Sequence, residues 1–108
     1  MIKSLLTFLL VFFLALPAYA VEMTMGANGS LVFDPVEVSI AAGDTVRFVN
    51  GVLPPHNVIV EGHDELSHED LAFSAGEFFE ITFPDPGDYN IWCAPHKGAG
   101  MIGTVHVS

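Results

Sequence analysis

The chain contains one cysteine, Cys93, among 108 residues, so no internal disulfide can form. Basic residues are almost as scarce. Three lysines and arginines stand against thirteen aspartates and glutamates, a formal charge of −10. Such a surface repels nucleic acid, whose binding rests on cationic side chains at phosphates. No internal repeat, linker, low-complexity tract or long amphipathic helical pattern is present. The one long apolar run, Leu5 to Leu16, ends at Pro17 and falls short of the roughly 20 residues a spanning helix needs.

That run follows Met-Ile-Lys-Ser and precedes Ala18-Tyr19-Ala20, the order of a secretory signal with a small-residue cleavage site. Residues 1–20 therefore read as a leader and residues 21–108 as one small domain with room for a single core. Loss of Lys3 leaves Arg47 and Lys97 against all thirteen carboxylates, a formal charge of −11. This charge favours solubility and salt-sensitive attraction to basic partner surfaces. A lone thiol in an exported chain needs an explanation other than pairing.

From Val21 onward the sequence is a series of short β-type segments, at 22–26, 31–34, 36–40, 44–50, 56–61, 78–83, 89–93 and 102–107. Alternation is clearest in Val36 to Ile40, Thr45 to Val49 and Phe79 to Phe83, where every second side chain faces a core. Gly43-Asp44 and Pro86-Gly87-Asp88 mark turns. Seven to eight such strands predict an all-β fold, an antiparallel Greek-key sandwich of two sheets. Residues 62–75 lack strand pattern and are expected to form a short excursion, in which Ser67 is placed to cap a helical turn through Asp70.

The chemistry concentrates in Cys93-Ala94-Pro95-His96-Lys97-Gly98-Ala99-Gly100-Met101, which puts a thiolate, an imidazole and a thioether in one loop after a strand. His56 supplies a fourth donor, and Pro54-Pro55 stiffen the chain ahead of it. Two imidazoles and a thiolate in a trigonal set, with a weak axial thioether, are the ligands of blue-copper electron-transfer sites. Zinc also accepts cysteine and histidine, and the methionine argues against it. A buried small hydrophobe explains a cysteine alone, and core filling a methionine alone. Their combination at the spacing Cys-x2-His-x4-Met is what points to copper.

At this point the chain resembles the plastocyanin family, particularly its cyanobacterial members. The resemblance lies in residues 29–35, 42–46, 55–58, 66–77 and 93–103. Pseudoazurins and halocyanins share a similar copper loop, and Leu66 to Glu77 tips the choice. The resemblance implies a cupredoxin fold and one copper ion, cycling between Cu(I) and Cu(II), held by His56, Cys93, His96 and Met101. It implies no enzymatic turnover. It makes Asn57 a brace that offers a backbone N–H to the cysteine sulfur, and Pro95 the residue that withholds a second one.

The same resemblance implies a monomeric one-electron shuttle in the thylakoid lumen, from cytochrome f of the cytochrome b6f complex to photosystem I. A periplasmic carrier in another redox chain is the alternative, and a copper-handling protein a further one. The partners' docking face in the family corresponds here to Leu31, Leu53, Pro54, Pro55, Gly98, Ala99 and Gly100, with Lys97 as an assisting cation. Glu61, Asp64, Glu65, Glu69 and Asp70 gather as a candidate steering patch.

Three features depart from the family pattern. The segment between His56 and Cys93 is short, with the loss around Gly62 to Leu66. Trp92 stands where tyrosine is common beside the cysteine, which alters the second proposed electron route. His63, His68 and His106 match no ligand position and read as surface residues.

Overall fold

The alternating segments form strands because each buries one face. In β4 (Thr45–Asn50) Val46, Phe48 and Asn50 point inward, and β7 (Phe78–Thr82) buries Ile81 and half-buries Phe79. A computed structural model describes residues 21–108, so the leader expected over residues 1–20 lies outside the described residues. The other strands are β1 (Val21–Ala27), β2 (Ser30–Asp34), β3 (Glu37–Ile40), β5 (His56–Val60), β6 (His68–Ala72), β8 (Gly87–Trp92) and β9 (Ile102–Val107). A 3-10 helix at Ala94–Ala99 joins β8 to β9.

One sheet has the order β2-β1-β4-β7 and the other β3-β9-β8-β5-β6. The predicted two-sheet sandwich is therefore present, but its sheets are mixed. β1 runs parallel to β4, with Met25 opposite Asn50, and β3 runs parallel to β9, with Ile40 opposite Val107. Alternation records which face is buried and not the direction of the neighbour, so the sequence could not show these two pairings.

Between the sheets lies one core. Phe48 stacks on Phe79 at 5.7 Å and meets the edge of Phe33 at 6.4 Å, while Phe83 meets Tyr89 at 5.2 Å. Each such aromatic pair contributes about 0.5–1.5 kcal/mol beyond its buried area. The buried Tyr89 ring keeps its hydroxyl satisfied by donating to the Asp85 carbonyl at 2.8 Å.

Residues 62–75 differ from expectation. Ser67 caps no helix through Asp70. Its hydroxyl accepts the Val60 N–H at 2.8 Å and lies 3.2 Å from the His63 carbonyl, closing the turn after β5. The chain then forms β6, an edge strand that places His68 opposite Val58 and Ala72 opposite His56. The residues from Gly62 to Leu66 form this turn, tied by His63 N–H to Val60 O and Leu66 N–H to His63 O.

Of the three histidines read as surface residues, each is half-buried and engaged. His68 stacks flat on Phe79, with ring centroids 3.7 Å apart, and His63 lies 3.0 Å from Glu65. His106 bridges strands, with Nδ1 2.8 Å from Asp88 and Nε2 2.9 Å from Glu37. These two carboxylates, Asp88 first, raise the His106 pKa above the ordinary histidine value. A group raised on folding stabilises fully below its unfolded pKa and loses that contribution as pH climbs through its folded pKa. The stability advantage of the protein over its His106→Gln variant should therefore be full below about pH 6.5, as long as Asp88 and Glu37 stay ionised, and shrink as pH rises above it. Urea melts across that range measure it, and a pH-independent difference would refute the bridge.

Candidate metal centre

The parallel pairing of β1 with β4 brings the end of β1 beside the loop that follows Asn50. Gly51 N–H donates to the Met25 carbonyl at 2.9 Å and Val52 N–H to the Gly26 carbonyl at 3.0 Å. This holds the Val52 carbonyl 2.7 Å from His56 Nε2. His56 opens β5 and is fully buried. Burial pushes its pKa below the ordinary histidine value, the Val52 carbonyl opposes this, and the neighbouring His96 ring adds to the lowering. A neutral ring that donates from Nε2 must carry its lone pair on Nδ1.

That lone pair faces sulfur. Cys93 follows β8 and is fully buried. Its Sγ lies 3.7 Å from His56 Nδ1 and 3.5 Å from His96 Nδ1. The donor atoms of His56, Cys93 and His96 all fall within 4.8 Å of one another. A metal about 2.3 Å from sulfur and about 2.0 Å from nitrogen, with roughly 120° between the bonds, separates those donors by about 3.7 Å. The donor set therefore fits an ion at its centre. His96 is half-buried, whereas its two companions are enclosed.

Burial pushes the Cys93 thiol up, and the backbone N–H groups of Asn57 and then His96 offset part of the rise. Metal binding must therefore displace a proton from sulfur. Pro95 has no N–H to offer, as expected from its ring. The His96 contribution was not foreseen and comes from the tightness of the 3-10 turn, in which His96 N–H also donates to the Cys93 carbonyl at 3.1 Å.

Asn57 braces three segments. Its Oδ1 accepts the Ala94 N–H at 2.8 Å and its Nδ2 donates to the Glu69 carbonyl at 3.0 Å. It thereby links β5 to β6 and to the loop that carries His96. Met101 is fully buried and closes the loop through its backbone: its carbonyl accepts the Cys93 N–H at 3.1 Å and its N–H donates to the His96 carbonyl at 3.3 Å. Gly100, at φ 94°, takes the left-handed conformation that ends the 3-10 turn and is open to glycine at little cost.

Around this end, Leu53, Pro54, Lys97, Gly98, Ala99 and Gly100 are exposed, while Leu31 and Pro55 are half-buried. The sequence reading missed Phe73, 64% exposed, which follows the residue paired with His56. The available signal was a large aromatic side chain at the end of the short apolar run Leu71-Ala72-Phe73, between acidic and small residues. The five carboxylates Glu61, Asp64, Glu65, Glu69 and Asp70 are all exposed, on the turn after β5 and on β6. Among the described residues, no helix is long and apolar enough to cross a membrane.

A mixed β-sandwich with a His-Cys-His set at one end, two members buried and one half-buried, defines a cupredoxin, the class of blue-copper electron carriers. Residues 19–108 match the family described as copper binding proteins, plastocyanin/azurin family, and the chain belongs to that family. It is 41% identical over 105 residues to a chloroplastic plastocyanin of Tetradesmus obliquus, covering 89% of this chain and 72% of the relative. It is 42% identical over 102 residues to a plastocyanin of Prochlorothrix hollandica, covering 86% and 78%. Among solved structures, the oxidised plastocyanin of the fern Dryopteris crassirhizoma is similar with a TM-score of 0.72 at 28% identity, over 81% of this chain and 99% of that one. Pseudoazurin from Methylobacterium extorquens gives 0.61 at 30% identity, over 82% and 74%.

Proposed function

We propose that the protein is a one-electron carrier between cytochrome f of the cytochrome b6f complex and photosystem I in the thylakoid lumen, exported by a leader over residues 1–20. The carrying observation is the convergence of the His56, His96 and Cys93 donor atoms, with buried Met101 tied by its backbone to Cys93 and His96, in a chain about two-fifths identical to plastocyanins. His56, Cys93, His96 and Met101 are the ligands in this reading. Copper bound there supplies a one-electron couple between Cu(I) and Cu(II).

The protein's share is to keep the donors fixed. The Val52 carbonyl sets the His56 ring, Asn57 ties the two ligand-bearing loops together, and burial excludes water from sulfur. With little to rearrange, either oxidation state fits the same cage. With four protein donors the site offers no open position for a substrate, so no catalytic turnover belongs to this reading. Leu31, Leu53, Pro54, Pro55, Gly98, Ala99 and Gly100 form the docking face, where small and apolar groups let a partner approach without desolvating charge.

The test is reduction of photosystem I by the purified copper protein at increasing salt. The expected result is rapid reduction whose rate changes with ionic strength, because the partners meet under long-range fields. An intact blue protein that reduces photosystem I at no salt concentration would reject the photosynthetic reading. It would favour a carrier in another redox chain, a reading the likeness to pseudoazurin supports.

A further inference from the structure

We propose that Trp92 is a positioning residue that holds Lys97 beside His96, so that this cation pairs with a carboxylate on the docking face of the redox partner. The inference rests on the electron-carrier reading and names the chemistry its partner must present. The Lys97 ammonium sits 3.7 Å from the centre of the Trp92 ring, within the range of a cation–π contact. Trp92 ends β8, where Ile59 and Ile102 flank it in register, so the ring is anchored in the sheet. Lys97 comes from the 3-10 turn, one residue past His96.

The two side chains share a groove of about 390 Å³ with Val36, Ile102, Glu37 and Glu61. Both carboxylates there are engaged elsewhere, Glu37 by His106 at 2.9 Å and Glu61 by the Asn90 amide at 3.1 Å. Arg47, the other Lys or Arg of the described residues, pairs with Glu80 at 3.0 Å on the opposite sheet. Among the described residues Lys97 is thus a cation with no carboxylate partner on an acidic protein, next to the half-buried ligand histidine and to small exposed residues. A long lysine normally loses its rotamer freedom when it docks. The Trp92 face removes much of that freedom beforehand, which lowers the cost of pairing. One fixed positive charge at the rim of an apolar face also sets the rotation of the partner about the docking axis.

Two measurements test this. In the copper-free protein, the Lys97 methylene protons next to nitrogen should show an upfield ring-current shift that Trp92→Leu abolishes and Trp92→Tyr partly retains. In the Cu(I) protein, one electron passes to hexacyanoferrate(III), an anionic probe, giving Cu(II) and hexacyanoferrate(II). Trp92→Leu and Lys97→Gln should each slow that reaction about two- to fivefold at low salt, with the reduction potential unchanged. Trp92→Leu should add nothing once Lys97 is already Gln, and Trp92→Tyr should recover most of the rate. Absence of the ring-current shift, or equal slowing by Trp92→Leu in both backgrounds, would overturn the proposal. A protein that shows the shift but never turns blue would instead overturn the electron-carrier reading.

Discussion

Replacing Cys93 by alanine is expected to abolish the blue absorption of the copper-loaded protein completely, not to weaken it. The intense colour of such sites comes from charge transfer between thiolate sulfur and Cu(II), and no other sulfur in the described residues can take the place of Sγ. Cys93 is the one cysteine, and the Met101 thioether carries no negative charge to give up. Two imidazoles and a thioether would still bind copper, weakly, with the pale colour of nitrogen ligation. The fold should survive. A single buried substitution of this size costs about 1 kcal/mol, against a total stability of about 5–15 kcal/mol for a domain of this kind, and the Cys93 N–H keeps its bond to the Met101 carbonyl. Visible spectra of Cu(II)-loaded wild type and variant, with circular dichroism as the check on folding, settle the point. A Cys93→Ala protein that stays blue would remove sulfur from the ligand set.

The loop from Cys93 to Met101 was legible as a candidate metal loop because its information is local. Cys93, His96 and Met101 lie on one short stretch, and their types and spacing state the chemistry without any knowledge of the fold. The strands with clean alternation were legible for the same reason, since Val46 and Phe48 or Ile81 and Phe83 announce a buried face by themselves. β6 was not. His-Glu-Asp-Leu-Ala has no alternation, and it becomes a strand only because β5 offers it an edge and Phe79 offers His68 a ring to stack on. The Ser67 signal was read as a helix cap because Ser-x-x-Asp fits one locally, whereas the hydroxyl spends its bonds on Val60 and His63 in the preceding turn. The parallel pairing of β1 with β4 is equally invisible in one dimension. Yet it is this pairing that brings Gly26 and the Val52 carbonyl to the metal centre, so part of the site was hidden together with the topology.

Gly26 carries the second large effect. It sits at φ +86°, and a β-carbon built there would overlap the Val52 carbonyl oxygen and come 2.7 Å from His56 Nε2. Gly26→Ala must therefore move the carbonyl that fixes the His56 ring, because Val52 is tied to Gly26 itself by its own N–H and cannot swing away independently. Released from that acceptor, the ring is free to turn or to change tautomer, and Nδ1 no longer presents its lone pair steadily toward Cys93. A left-handed backbone also costs a side chain about 1–2 kcal/mol, so a loss of stability alone would not identify the cause. Gly29→Ala supplies the control. Gly29 has a similar φ of +72°, but a β-carbon there meets nothing within 4 Å, so it carries the backbone cost without touching the site. Both variants should lose similar stability from the backbone term, with Gly26→Ala losing more. Only Gly26→Ala should release copper to a chelator at least about tenfold faster, the ratio that 1.4 kcal/mol of lost ligand positioning produces. The His56 ring-nitrogen shifts of the copper-free protein give a second readout, since a mixture of tautomers in Gly26→Ala and a single one in Gly29→Ala would trace the effect to the Val52 hydrogen bond. Equal copper retention in the two variants would mean that His56 is held by its own burial among the core side chains, and that β1 does no more than close the sheet.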